Sequence, residues 1–258
     1  MAKVRVLVFS GYGINCEEET AFAFHLAKAK ADIVHINDLI EKKKRLNDYQ
    51  ILVFPGGFSY GDDTGAGKAF ANRLKNHLAE ELNKFFNKDR LVLGICNGFQ
   101  ILTYLGVFGN VALVHNNFPR YLVRWVDLKI ENKSPWLTGI KTISLPIAHG
   151  EGRFFAPPQV LKKITKEKMI ALTYFKGEIC RYQNLLANPN GSLKNVAGIT
   201  DSSGKILGLM PHPERAIFFT HLPHWNYLKE KCQREGKSIP RFGPGLKIFE
   251  NAVKYFSD

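Results

Sequence analysis

The chain lacks most of the features that would place it in a specialised class. No apolar run approaches the roughly 18 residues that a membrane helix requires. The opening MAKVRVLVFS is neither an arginine-rich amphipathic leader nor a charged stretch running into an apolar one. A soluble cytoplasmic protein with no membrane partner is therefore expected. The four cysteines, Cys16, Cys96, Cys180 and Cys232, are scattered with no C-x-x-C pair, so neither a disulfide framework nor a structural metal site is expected. A reactive thiol in a reducing compartment remains open. No segment rich in Gly, Ser or Pro divides the chain and no repeat is visible, which points to one domain over residues 1–258.

Two cofactor fingerprints are also missing. Gly11-Tyr12-Gly13 has no third glycine and so is no dinucleotide loop, and no G-x-x-x-x-G-K-[ST] stretch is present to cradle ATP. No cofactor is expected in this chain. Acidic residues are the minority, 23 against 36 Lys and Arg, for a net charge of +13. The lysines are dispersed, the densest cluster being Glu41-Lys42-Lys43-Lys44-Arg45, and no nucleic-acid module accompanies them. Nucleic acid is thus not an expected partner, whereas an anionic substrate or an acidic protein is compatible with the charge.

What is present is an alternation. Strand-like Val4–Phe9 gives way to the turn residues Ser10–Gly13 and then to helical spacing over Glu17–Lys30; Asp32–Ile36 reads as a second strand. Ile51–Phe54 ends at Pro55-Gly56-Gly57, a loop runs to Gly67, and Lys68–Asn87 fits a long amphipathic helix. Leu91–Ile95 and a helix after Cys96 complete the pattern. Apolar strands between helices predict an α/β fold with a mainly parallel central sheet covered on both faces. Later, Tyr121–Ile130 alternates like a half-exposed strand, and Val196–Thr200 and Ile206–Met210 flank Asp201–Lys205 as a hairpin, so antiparallel strands are added.

The stretch GICNGFQILTYLG, residues 94–106, sets Cys96 between two glycines after an apolar strand. A buried structural cysteine beside a glycine-rich turn is one reading. The other is a nucleophile elbow, in which the thiol sits at a helix N-terminus that favours thiolate and the Asn97 amide can face an oxyanion. A thiol nucleophile needs a base with an orienting group. Gly208–Arg215 offers His212, restrained by two prolines, with Glu214 two residues on. Pro55-Gly56-Gly57 should lie at the same sheet edge, making the Gly57 amide a second oxyanion donor. Cys16 also falls between a strand and a helix, but Glu17, Glu18 and Glu19 follow it and should raise its pKa, leaving a packing role. His221-x-x-His224 has no acidic or cysteine neighbour to complete a metal site.

Together, Pro55-Gly56-Gly57, Gly94–Gln100 and His212-Pro213-Glu214 resemble the class I, or triad, glutamine amidotransferase family. The similarity narrows to the glutaminases of phosphoribosylformylglycinamidine synthase, the PurQ type. It does so through Gly13–Cys16, Phe58–Asp62, Arg124-Trp125, His149–Arg153, Ala187–Ser192 and Met210–Arg215. The resemblance implies a flavodoxin-like core, with Cys96 as nucleophile, His212 as base, Glu214 as its orienter, Gly57 and Asn97 as oxyanion donors and Gln100 as a holder of substrate glutamine. It implies hydrolysis of glutamine to glutamate and ammonia through a γ-glutamyl thioester. It also implies a partner synthetase (PurL type) that uses ATP and Mg, commonly with a small third subunit (PurS type). There the ammonia converts formylglycinamide ribonucleotide to its amidine in purine biosynthesis. Since the chain has no ATP loop and no room for a second large domain, that synthetase is expected to be a separate polypeptide. Gly61–Gly67 and Ile217–Arg241 depart from the shortest family members, which leaves the third subunit open. Other readings are an amidotransferase serving a different acceptor, a related cysteine-elbow peptidase or stress protein, and a non-catalytic regulatory module.

Overall fold

The computed structural model describes residues 3–257; Met1, Ala2 and Asp258, the ends of the 1–258 span, lie outside the described residues. The first half builds β1 (Arg5–Ser10), α1 (Glu17–Leu26), β2 (Lys30–His35), α2 (Ile36–Ile40), β3 (Ile51–Phe54), α3 (Lys68–Phe86), β4 (Leu91–Ile95) and α4 (Asn97–Tyr104). The second half adds β5 (Ala112–His115), β6 (Leu122–Ile130), β7 (Thr142–His149), β8 (Glu151–Phe155), α5 (Pro158–Lys166), β9 (Ile170–Phe175) and α6 (Glu178–Tyr182). The chain ends with β10 (Val196–Thr200), β11 (Ile206–Leu209), α7 (Trp225–Arg234) and α8 (Leu246–Lys254).

Nine strands form one sheet in the order β2-β1-β3-β4-β11-β10-β9-β6-β7, while β5 and β8 pair separately. Strands β2, β1, β3, β4 and β11 run parallel, and from β11 outward every pairing is antiparallel. Every residue of β3, β4 and β11 is buried, as expected for strands covered on both faces. Helix α1 packs with α8, and α3 packs with α4 and α2. The Asp201–Lys205 turn is tied by Asp201, whose carboxylate accepts from the Ile206 amide (2.8 Å) and the Ser203 amide (3.1 Å). That turn returns β11 into the slot beside β4, so one hairpin joins the parallel and antiparallel halves.

Helix α1 ends earlier than its pattern predicts. Lys28 turns left-handed (φ 72), and the Ala29 amide donates back to the Phe24 carbonyl (3.0 Å), a helix-terminating bond that swings the chain into β2. The Ile217–Arg241 stretch is an excursion whose base is closed by a Phe218–Phe242 bridge with the rings 6.1 Å apart; its helix α7 has no buried residue. No helix among the described residues is long and apolar enough to cross a membrane.

Candidate active site

The strand order reverses between β1 and β3, and the loops that leave β1, β3 and β4 meet outside the carboxyl ends of those strands, the usual ligand crevice of an open α/β sheet. Cys96 stands at the end of β4 with φ 51 and ψ −106, a left-handed strand-to-helix turn held where its amide donates to the Leu209 carbonyl (2.8 Å). The flanking glycines are steric necessities. A Cβ on Gly98 would lie 1.8 Å from the Phe54 carbonyl oxygen, and one on Gly94 would lie 2.6 Å from Leu102 and 2.8 Å from the Gly98 carbonyl oxygen. Helix α4 begins at Asn97, so that amide has no carbonyl partner within the helix and is available to a ligand.

His212 follows the end of β11, its amide donating to the Pro146 carbonyl of β7 (2.8 Å). The imidazole and Glu214 are both buried, with Nδ1 2.5 Å from Glu214 Oε1. Burial alone pushes His212 down. The Glu214 carboxylate first, then the nearby sulfurs of Cys96 and Cys16, outweigh it and hold the imidazole well above its ordinary value. The resting pair therefore favours imidazolium beside the Cys96 sulfur, and the Cys96 thiol also points to the Ala148 carbonyl at 3.6 Å.

Gly57, Cys96, Gln100 and His212 line one cleft, a cavity of about 30 Å³, together with Asp62, Tyr121, Glu151 and Arg215 among others. Gly57 carries no side chain because the β1 loop lies against it: a Cβ there would meet the Gly13 carbonyl oxygen at 2.7 Å and Ile14 Cα at 2.8 Å. The Asn97 side chain accepts from the Ser59 amide (3.2 Å) and donates to Asp62 (3.2 Å) and to Gln100 Oε1 (2.9 Å). Gln100 in turn donates to the Glu151 carbonyl (2.6 Å). Asn97 and Gln100 thus brace the loop after β3 against the start of β8. Burial, and secondarily the nearby Glu151 carboxylate, push Asp62 up to about 6.

Several cleft residues carry no role in the sequence reading. Tyr121 closes the mouth, its hydroxyl donating to the Ala148 carbonyl (2.8 Å) and its ring 5.9 Å from Phe58. Asp62, Glu151 and Arg215 sit inside stretches that carry the family resemblance, and that is the only signal that could have found them. His149, also within such a stretch, lines the cleft as well: its ring fills the space over Gly152, Nδ1 pairs with Asn116 Oδ1 (3.1 Å), and burial lowers it to about 4. The Ala187–Ser192 stretch is a brace. Asn188 Oδ1 accepts from the amides of Asn190 and Gly191, Asn190 Oδ1 from Ser192, and Ser192 Oγ from the Phe154 amide of β8.

Cys16 requires a correction. It is fully buried and its thiol is pushed up, but the cause is burial first and the Glu214 carboxylate among the charges, not Glu17, Glu18 and Glu19. It is more than loop packing, because its sulfur accepts a hydrogen bond from Arg215 Nη2 (2.9 Å) and lies against His212. The sequence could not show this contact, which spans 199 positions. His221 stands edge-on to Phe218, ring centroids 5.3 Å apart, and His224 precedes α7.

Comparison with known proteins places the architecture. Residues 3–256 match the model of the CobB/CobQ-like glutamine amidotransferase domain. A phosphoribosylformylglycinamidine synthase subunit PurQ of Methanococcus maripaludis is 49% identical over 98% of this chain and 97% of its own length. The same-named subunit of Dehalococcoides mccartyi is 39% identical over 99% of this chain and 98% of its own. Among solved structures, a chain of the Thermotoga maritima PurLQS structure superposes with a TM-score of 0.74 at 28% identity, covering 99% of this chain and 100% of that one.

Proposed function

The chain belongs to the CobB/CobQ-like glutamine amidotransferase family, among the PurQ glutaminase subunits of phosphoribosylformylglycinamidine synthase, and from that premise we propose how its residues carry the reaction. It is a glutamine amidotransferase subunit of a ligase complex in purine biosynthesis. The observation that carries the residue assignment is the Cys96 elbow at φ 51 beside the buried His212–Glu214 pair at 2.5 Å.

Cys96 attacks the side-chain amide carbon of glutamine. The amides of Asn97 and Gly57 stabilise the oxygen as it gains charge, in a cleft where such donors act strongly because water is largely excluded. His212 holds the proton taken from the thiol and gives it to the departing nitrogen, so ammonia leaves and a γ-glutamyl thioester remains. Water then attacks the thioester while His212 accepts its proton, and glutamate is released. Glu214 fixes the tautomer and orientation of the imidazole and favours its charged form. Gln100 supports this site from the floor, holding Asn97 and β8 in register around the substrate.

The cavity, about 30 Å³, is small for glutamine, so the cleft widens to admit it. The Ser59–Gly67 loop is the segment we assign to that motion. Tyr60 and Asp62 lie in it left-handed without being glycine (φ 55 and 57), on either side of Gly61 at φ 69, and carry the cost of that backbone. Phe58 and Tyr121, 43% and 50% exposed at the mouth, form the apolar face against which a synthetase subunit of the PurL type docks. That subunit uses ATP and Mg, and a small third subunit of the PurS type completes the assembly. The four cysteines are all free, consistent with work in the reducing cytoplasm.

The test is glutamate release from glutamine by the purified chain, alone and with the synthetase, formylglycinamide ribonucleotide and ATP. A large rise on adding the synthetase supports both chemistry and partner. Hydrolysis indifferent to that synthetase would refute the docking assignment, and no hydrolysis in any combination would refute the residue assignment.

A further inference from the structure

The donor atoms of Cys16, His212 and Glu214 all lie within 4.8 Å of one another, and all three residues are buried. The edge of the imidazole that carries Nδ1 faces this cluster: a Cβ on Gly56 would sit 2.8 Å from His212 Cε1, 3.4 Å from Nδ1 and 3.1 Å from the Cys16 sulfur. One thiol, one imidazole and one carboxylate make up a donor set suited to a borderline-soft divalent ion, not to magnesium or calcium, which take oxygen ligands. Around zinc such donors stand about 3.5 Å apart, so the set needs to adjust by only about 1 Å. A second observation points to the same place. Glu214 Oε2 is buried with no hydrogen-bond partner, an unsatisfied lone-pair oxygen on the carboxylate whose Oε1 lies 2.5 Å from the ring.

We propose that Cys16, His212 and Glu214 form an inhibitory site for a divalent cation of the zinc class, which replaces the proton now shared by His212 Nδ1 and Glu214. On binding, the thiol proton of Cys16 and the Nδ1 proton of His212 pass to solvent. The resulting thiolate and carboxylate neutralise the charge of the ion, so no net charge is left buried. Arg215 is the gate. Its guanidinium donates to the Cys16 sulfur at 2.9 Å, lies 3.9 Å from Glu214 Oε1 and opposes a cation, but its side chain is 40% exposed and also reaches toward Glu19 at 3.8 Å, the partner it keeps when it swings out. Arg215 also lines the cleft, so its outward swing opens the path from solvent to the sulfur. The inhibitory effect rests on the reading of His212 as the base, because an imidazole ligated at Nδ1 is no longer oriented by Glu214 and is poorly able to take up a second proton. The site itself does not rest on that reading.

Titration of the full-length chain with Co²⁺, under a thiol-free phosphine reductant, reads the site through the thiolate-to-cobalt charge-transfer absorption. The expected result is one strong band in the wild-type chain, retained in Cys96→Ser and lost in Cys16→Ser. Circular dichroism and the melting temperature establish that each variant is folded, and Cys16→Ala serves as the second substitution. A band lost in Cys96→Ser and kept in Cys16→Ser, or no band in the wild-type chain, would overturn the site. In parallel, Zn²⁺ should inhibit glutamate release, with the half-inhibiting concentration raised about 100-fold in Cys16→Ser. A band that depends on Cys16 without any inhibition would overturn the inhibitory role while leaving the metal site standing.

Discussion

Two strand-to-helix junctions in this chain each carry a buried cysteine, and only one of them is an elbow. At the β4–α4 junction Cys96 takes φ 51 and ψ −106, between glycines whose missing side chains make room for β3 and α4. At the β1–α1 junction Cys16 takes φ −112 and ψ 15, between Asn15 and Glu17. The first thiol opens onto the cleft, and the second meets the imidazole and Arg215 from within the protein. A strand end, a turn and a helix start are therefore not enough to present a nucleophile. The backbone must be forced left-handed at the cysteine, and small neighbours must permit it.

The sharpest way to break this comparison is to exchange the fates of the two thiols. Cys96→Ala should lower glutamine hydrolysis about 10⁴-fold or more while co-elution with the synthetase persists, whereas Cys16→Ser keeps measurable turnover. Equal turnover in Cys96→Ala would place the chemistry elsewhere. Next in size is the elbow's steric demand. Gly98→Ala, with its Cβ 1.8 Å from a backbone oxygen, should cost more than about 4 kcal/mol or prevent folding. Gly106→Ala, at φ +82 with nothing within 4 Å, should cost about 1–2 kcal/mol for its left-handed backbone alone. Denaturant midpoints compare the two, and equal losses would contradict the account of the elbow.

Glu214→Gln tests what distinguishes the imidazole that both cysteines touch. It should lower kcat about 10²- to 10⁴-fold. It should also move the alkaline limb of the pH profile downward, since the carboxylate holds His212 up and burial, which pushes it down, would then prevail. An unmoved limb in a variant of lower kcat would make Glu214 a packing residue. The smallest effect concerns the loop across the cleft. Asp62 is raised from 3.8 to about 6 in the folded protein. Its contribution to stability is therefore fully present below the unfolded value and is lost as pH rises through about 6. Asp62→Asn removes that loss, so the melting-temperature gain of the variant over the parent should grow between about pH 5 and about pH 7.5. A gain independent of pH would place the carboxylate in a solvated setting.

The parallel half was legible because each of its elements carries its own local signal. The apolar runs of β1, β3 and β4 and the Gly94–Gly98 turn are continuous in the sequence, and the Asp201–Lys205 hairpin announces its turn. The antiparallel half was less so. Strand β7 contains Pro146, and β8 pairs with β5 outside the main sheet, so neither reads as a strand of that sheet. The ends of α1 and the start of β2 were displaced by Lys28, whose left-handed turn has no marker such as glycine. In the cleft, the spacing of Cys96, His212 and Glu214 was visible as motifs, while Asp62, Glu151 and Arg215 entered only as members of resembling stretches and Tyr121 only as the first residue of an alternating strand.

The sequence by itself determined the alternation that makes a covered parallel sheet, the glycine pair that permits a left-handed cysteine, and the two-residue spacing that lets Glu214 reach the ring of His212. These are short-range matters of backbone sterics and side-chain period, and a few neighbouring residues suffice to set them. Only the tertiary structure decided that His212 comes to Cys96, because β11 must first slot beside β4 through a long-range pairing. It alone decided that Cys16 lies against the same imidazole, with Arg215 as its hydrogen-bond donor across 199 positions. Such contacts follow from how whole strands pack, and no local pattern encodes where a distant loop will come to rest.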